Sequence, residues 1–206
     1  MGFLEAAAVV YLRTLYYPEG FSFPLKNIPI DIFLVEIERE ISTIVMLIFI
    51  GIISGKTLLE QFCYFLYSFG IWDIFYYVWL KVILNWPPSP LTWDLLFLVP
   101  VPWLAPVLAP FIVALTMIIV ASRIIYLREK GIYFKISKLD LALGALTALL
   151  IFISFVMDFP RIVNQELPSK YHWEMLVLGE FLSLFVAFRI IFLKQRIEGC
   201  FSRHNE

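Results

Sequence analysis

Long apolar runs, separated by short polar or proline-rich segments, dominate this chain. Six of the runs approach the length of about 20 residues that an α-helix needs to cross a hydrocarbon core. They are predicted at residues 2–17, 31–54, 57–85, 103–127, 139–157 and 173–193. We therefore expect an all-α fold, a polytopic membrane helical bundle that forms a single domain, followed by a solvated tail at 194–206.

The first run is the shortest, and it carries Glu5 near one end and Arg13 near the other. Tyr16 and Tyr17 follow, as in the aromatic belt at a membrane surface, and Pro18 ends the helix. This pattern favours a helix that spans the membrane. A helix lying in the membrane interface is the alternative.

Segment 91–98, between the third and fourth runs, is apolar but too short to cross a membrane. Prolines precede it, and Pro100 and Pro102 follow it. Irregular backbone at membrane depth occurs only where protein or a water-filled cavity surrounds it, so we expect a re-entrant or interfacial half-helix. Asp94 either caps this half-helix or belongs to a functional site.

Composition and charge placement agree with a membrane location. Of 206 residues, 61% are hydrophobic, and the formal net charge of −1 offers no basic surface for nucleic acid. The N-terminus lacks a basic n-region, so the first run is expected to direct insertion. The basic connection 123–138 and the tail fall on the same side of the membrane. Because short cytoplasmic loops are richer in Lys and Arg, that side is expected to be the cytoplasm. The sequence thus predicts a multi-pass protein of the cell (inner or plasma) membrane with both termini cytoplasmic.

Acidic residues within the apolar runs are the main candidates for function. A charge at a helix centre costs roughly 2.5–3.5 kcal/mol, so intramembrane acids are rare. Asp73 lies in the middle of the third run, where Tyr77, Arg39 or Ser68 could be its partner. The alternative to a binding role is a structural hydrogen bond that joins two helices.

Glu36, Arg39 and Glu40 share one helix face, whereas Glu38 points elsewhere. This face either looks into the bundle or forms a solvated helix end. In the predicted topology most intramembrane acids gather in the outer half, with Glu5 as the exception, which predicts an outward-facing acidic and aromatic pocket. Its candidate residues are Asp73, Asp94, Glu36, Glu40, Arg39, Tyr77, Trp93 and Glu180, with Arg13, Arg39, Lys81 and Arg161 as counter-charges.

No motif indicates catalysis or a cofactor. The sequence has no HExxH, GxSxG or P-loop pattern. Its two cysteines, Cys63 and Cys200, are far apart, and two histidines, His172 and His204, are too few for a His-based metal or haem site. No metal site is predicted, and the cofactor is unknown.

Three functions fit these observations. The first is binding or transport of a small ligand or cation. In size, span number and position of its termini the chain resembles the substrate-binding subunits of energy-coupling-factor vitamin transporters, and residues 6–8 supply small side chains where that family docks its partner. The second is an accessory or structural subunit of a larger membrane complex. The third is an intramembrane enzyme acting on a lipid or isoprenoid, with the acids as acid/base groups or Mg²⁺ ligands.

Overall fold

The computed structural model describes residues 1–193 and the backbone of residues 195–197. The chain is mostly helical, and a short β-hairpin and a second two-stranded sheet accompany the helices. Its elements are α1 (Gly2–Tyr16), α2 (Ile30–Ser54), α3 (Leu58–Leu84), β1 (Trp93–Phe97), β2 (Trp103–Pro106), α4 (Leu108–Glu129), β3 (Ile132–Phe134), α5 (Lys138–Val156), α6 (Phe159–Val163), α7 (Trp173–Phe188), a π-helical turn (Arg189–Leu193) and β4 (Gln195–Ile197).

The helix boundaries have local causes. Thr57 and Ser137 each accept a hydrogen bond from the backbone three residues later, in capping boxes completed by Glu60 and Asp140. At the other end of α3, Asn85 takes the left-handed conformation that commonly terminates a helix. These polar side chains satisfy backbone groups that would otherwise lack partners.

The predicted half-helix at 91–98 is wrong, because these residues form β1. This strand pairs antiparallel with β2, and Asp94 lies opposite Ala105. One helical turn between proline breaks would leave most backbone groups unpaired, whereas two strands exchange their hydrogen bonds across the ladder. For the same reason α4 begins at Leu108 rather than at residue 103.

Three helices within the described part of the chain are long and apolar enough to cross a membrane. They are Leu108–Glu129, Lys138–Val163 and Trp173–Leu193. Many large apolar side chains on the helices are exposed, as expected for a surface in contact with lipid. These observations are consistent with a membrane protein.

Helix α1 is shorter than the predicted first span requires. Its 15 residues extend about 22 Å, against about 30 Å for a hydrocarbon core. Gly2 packs against Trp72 and Phe75, in the middle of α3, and Arg13 lies over Trp86, just beyond the end of α3. Helix α1 therefore runs beside only the C-terminal half of α3, and the predicted count of six spans is not confirmed.

At the opposite end of the bundle, ion pairs join neighbouring helices. Arg128 bonds to Glu60 across α4 and α3 at 2.8 Å, and Arg189 bonds to Asp140 across α7 and α5 at 3.2 Å. There β3 pairs antiparallel with β4. Apart from the backbone of β4, the predicted solvated tail, with Cys200 and His204, lies outside the described residues.

Candidate functional site

Ionisable side chains come together where α1, α2, α3 and the β1–β2 hairpin meet. We call this group the acidic junction, because it holds more carboxylates than arginines. Its members are Glu5, Arg13, Glu36, Arg39, Glu40, Asp73 and Asp94.

Asp94 is the most deeply buried of these residues, with 1% of its surface exposed. The Arg13 guanidinium donates from Nη2 to Asp94 Oδ1 at 2.9 Å, and the Tyr77 hydroxyl donates to Asp94 Oδ2 at 3.2 Å. Because β1 carries Asp94, the Arg13 ion pair fastens the hairpin to α1. Asp94 therefore caps no half-helix, which was one of its two predicted roles, and instead forms an ion pair between two distant segments.

Arg39 is paired as fully as Arg13. It contacts Glu5 on α1, and its Nε and Nη2 atoms both bond to Glu36 Oε2, at 3.0 and 2.7 Å. Thr43 donates to the other Glu5 oxygen at 3.1 Å. Arg39 thereby joins α1 to α2, and Glu5 lies beside the other acids rather than apart from them as the sequence predicted.

Glu40 holds the far end of the hairpin. Its Oε2 atom accepts a hydrogen bond from the backbone N–H of Leu98 at 2.8 Å. Glu36 and Glu40 are buried while Glu38 is exposed. The face formed by Glu36 and Glu40 therefore looks into the bundle.

Asp73 differs from the other acids because its carboxylate has no hydrogen-bond partner within residues 1–193. The three expected partners are not used: Tyr77 bonds to Asp94, Arg39 bonds to Glu5 and Glu36, and Ser68 forms no bond with it. Asp94 is close enough to act on Asp73 electrostatically. The Asp73 residue is 8% exposed, and its oxygens are not sealed from solvent.

Aromatic rings line this part of α3. Trp72 stacks on Tyr76 with ring centroids 6.5 Å apart, and Tyr76 meets Tyr77 edge-on at 4.9 Å. Phe97 of the hairpin packs against Trp72 at 5.9 Å. Asp73 therefore lies on a helix face whose neighbours are rings that can also bind a cation.

Two predicted pocket residues lie elsewhere. Trp93 packs edge-on against Tyr171 at 5.9 Å, in the apolar core that the hairpin shares with α5 and α7. Burial raises the pKa of Tyr171 to about 12, and its hydroxyl shares a hydrogen bond with Ser154 at 3.1 Å. Glu180 lies on α7, which packs with α5 and α4. Neither residue reaches the acidic junction.

Two of the predicted counter-charges are also elsewhere. Lys81 donates to the backbone oxygens of Asn85 and Pro87, and Arg161 pairs weakly with Glu166 at 3.8 Å. Of the four proposed cations, Arg13 and Arg39 belong to the site.

Glu180 is buried, and neither of its carboxylate oxygens has a hydrogen bond of good geometry, although Thr116 lies close by. An unsatisfied buried polar group costs about 1–3 kcal/mol. We expect Glu180→Leu to raise the free energy of unfolding by about that amount, which increases Tm by about 2–4 °C per kcal/mol in a chain of this length. Thermal unfolding in a mild detergent measures the change.

Glu174→Leu, at an exposed position on the same helix, is the matched control for that substitution. Its side chain forms only an exposed pair with His172, so we expect a change within about 0.5 kcal/mol. A lower Tm for Glu180→Leu than for the unmodified protein would show that Glu180 has a stabilising partner.

Comparison with known proteins adds no further assignment. No family model matches the chain, and neither a curated protein nor a solved structure matches it. The resemblance to energy-coupling-factor subunits therefore rests on size and predicted topology alone. Within the described residues, no three His, Cys, Asp or Glu side chains are grouped so as to hold a metal ion.

Proposed function

We propose that this chain is a multi-pass membrane protein that binds a small organic cation at Asp73, for recognition or transport. The observation that carries the proposal is the Asp73 carboxylate, which has no hydrogen-bond partner among the described residues and lies beside Trp72, Tyr76 and Tyr77 on α3. Both arginines of the acidic junction are already paired with other carboxylates. A cationic ligand would supply a positive charge to pair with the Asp73 carboxylate.

The surroundings of Asp73 favour an amine over a bare metal ion. Metal ions of the Mg²⁺ and Ca²⁺ type take several oxygen ligands, and an isolated carboxylate supplies few of them. An ammonium group can bond to one carboxylate and rest against aromatic faces, which contributes about 0.5–2 kcal/mol. Trp72, Tyr76 and Tyr77 flank Asp73 on α3 and are the rings we assign to this contact.

The proposed orientation follows the positive charges. The connection 123–138 and the loop at Lys56 are placed in the cytoplasm, so the hairpin end of the bundle faces outward. Helices α2, α3, α4, α5 and α7 then cross the cell membrane, and α1 covers the outward half of α3. With these five crossings the C-terminus is cytoplasmic, whereas the cytoplasmic N-terminus predicted from the sequence requires α1 to cross as well.

The ion pairs within the chain also bear on the two alternative functions, an accessory subunit of a larger complex and an intramembrane enzyme. A subunit that uses buried charges for assembly would present them to a partner, yet Arg13 and Arg39 are bonded within the chain. A lipid-modifying enzyme with Mg²⁺ would require grouped carboxylate ligands, and the acids of the junction are mostly engaged with arginines or with the hairpin backbone. The cation-binding proposal uses Asp73, the carboxylate of the acidic junction that has no hydrogen-bond partner among the described residues.

The decisive variant is Asp73→Asn. It keeps the size of the side chain but removes its charge, so we expect Kd for the bound amine to rise about tenfold or more, as for the loss of a charge-assisted hydrogen bond. Because Asp73 has no partner, Tm without ligand should stay nearly unchanged. The measurement is the ligand-dependent rise in Tm across a panel of primary and quaternary amines.

Glu38→Gln is the control, since it removes one negative charge from an exposed position on α2. The amine-dependent rise in Tm should persist in this variant. The proposal fails if no amine raises Tm of the unmodified protein, or if Asp73→Asn responds as strongly as Glu38→Gln. Labelling of Asp73→Cys by an impermeant thiol reagent, in a chain lacking Cys63 and Cys200, reports whether water reaches the site from outside.

A further inference from the structure

A cleft of about 280 Å³ opens beside the C-terminal end of α1. Its polar lining is Arg13, Thr14 and Tyr17, and the remaining wall is apolar or aromatic: Pro18, Gly20, Phe21, Leu84 and Trp86. The cleft lies where α1 and α3 both end. In the proposed orientation this is the outward membrane surface.

Arg13 has hydrogen-bonding capacity that the protein leaves unused. Its Nη2 atom bonds to Asp94, but Nη1 is buried and has no partner among the described residues. The residue is 7% exposed, and its guanidinium carbon lies 3.8 Å from the Trp86 ring centroid and 4.5 Å from that of Phe21. A buried donor without an acceptor is costly, and an anionic oxygen in the cleft would satisfy it.

A second cation, Lys26, contacts Tyr17 of the cleft wall. The Lys26 ammonium lies 5.4 Å from the ring of Tyr17, and the Lys26 backbone N–H donates to the Tyr17 hydroxyl at 2.7 Å. No carboxylate within residues 1–193 pairs with Lys26. A guanidinium and an ammonium at one site are the groups that most often bind phosphate.

Helix α1 also has an exposed apolar face, on the side opposite to Arg13. Leu4, Tyr11 and Leu15 are exposed over 70%, 71% and 72% of their surfaces. They are spaced by seven and four residues, so they lie on one helix face. This face contacts bulk lipid, and the apolar side chains that a lipid bound in the cleft would contact are those of the cleft wall, Phe21, Leu84 and Trp86.

We propose that this cleft binds the phosphate group of a membrane phospholipid, with Arg13 and Lys26 contacting the phosphate and the apolar wall of the cleft, Phe21, Leu84 and Trp86, contacting the start of the acyl chains. The inference rests on the membrane placement of the chain and not on cation binding at Asp73. An aromatic and cationic site at the membrane surface matches the depth at which lipid phosphates lie.

The test uses protein freed of lipid in a stringent detergent. Its Tm is followed during titration with a phospholipid, with a diacylglycerol that lacks phosphate, and with glycerol phosphate or inorganic phosphate. We expect the phospholipid to raise Tm at concentrations where the other compounds do not. If diacylglycerol raises Tm as much as the phospholipid does, the proposed phosphate contact is wrong. If inorganic phosphate raises Tm as much as the phospholipid does, the cleft binds free phosphate rather than a lipid.

Two variants leave the Arg13–Asp94 pair in place. Lys26→Gln should weaken phospholipid binding about fivefold, the effect of one basic residue near a membrane surface. Thr14→Phe, at an exposed residue that lines the cleft, should fill the cavity and abolish the response. Lys170→Gln, which removes a charge from another exposed loop, is the control and should bind as the unmodified protein does. Unchanged binding by Thr14→Phe contradicts the proposal, whatever the outcome of the amine experiment.

Discussion

Replacing Asp94 with alanine is expected to destabilise the protein by about 3–5 kcal/mol. Breaking a buried ion pair from one side leaves an uncompensated charge, here the Arg13 guanidinium, in a low-dielectric environment. The Tyr77 hydroxyl also loses its acceptor. At about 2–4 °C per kcal/mol, Tm should fall by about 6–20 °C in a thermal unfolding experiment.

The double variant Arg13→Met with Asp94→Leu provides the matched comparison. Removing both charges leaves no unpaired ion, so its Tm should lie above that of Asp94→Ala. Asp31→Ala, at an exposed acid near the start of α2, should change stability by less than about 0.5 kcal/mol. A fall in Tm for Asp94→Ala no larger than that for Asp31→Ala would show that the ion pair does not fasten the hairpin.

Gly70→Ala is expected to be the next most damaging change. A Cβ atom at Gly70 would lie 2.7 Å from the Ala114 carbonyl oxygen and 2.8 Å from Ile118 Cγ1, so α3 and α4 would have to separate. Overpacking of this kind costs about 1–3 kcal/mol, seen as a lower Tm. Asp73 lies one turn along α3, so amine binding at that site should weaken as well.

Gly144→Ala tests the same substitution where space is open. No atom lies within 4 Å of a Cβ built on Gly144, which is inside α5. Alanine is favoured over glycine in a helix interior by about 0.5–1 kcal/mol, so Tm should rise slightly. If Gly70→Ala and Gly144→Ala lose the same stability, the close approach of α3 and α4 does not limit the size of the side chain at residue 70.

The helices could be predicted from the sequence because apolar runs and capping residues are local signals. Helix α5 was predicted at 139–157 and observed as Lys138–Val156, and the long third helix begins at a capping box that starts with Thr57. The β1–β2 hairpin could not be predicted in the same way. Its residues are apolar, its length suits half a helix, and its pairing depends on how the two strands pack among α2, α3 and α5.

The acidic junction was predicted in part. Spacing alone placed Glu36 and Glu40 on one face, and both are buried. The acid with which each arginine pairs depends on the path of α1, which runs beside the C-terminal half of α3 and brings Glu5 to Arg39. Asp73 has no hydrogen-bond partner among the described residues because Tyr77 bonds to Asp94 and Arg39 bonds to Glu36.

The Arg13–Asp94 pair also bears on the order of biosynthesis. The two residues are 81 positions apart, so α1 leaves the ribosome long before its counter-ion exists. Until the hairpin is made, a helix of 15 residues with an unneutralised arginine is a poor substrate for insertion into lipid. We therefore expect helix α1 to dock on α3 only after Asp94 has been synthesised. A nascent chain arrested before residue 94 should leave α1 accessible to protease, and one arrested after α4 should protect it.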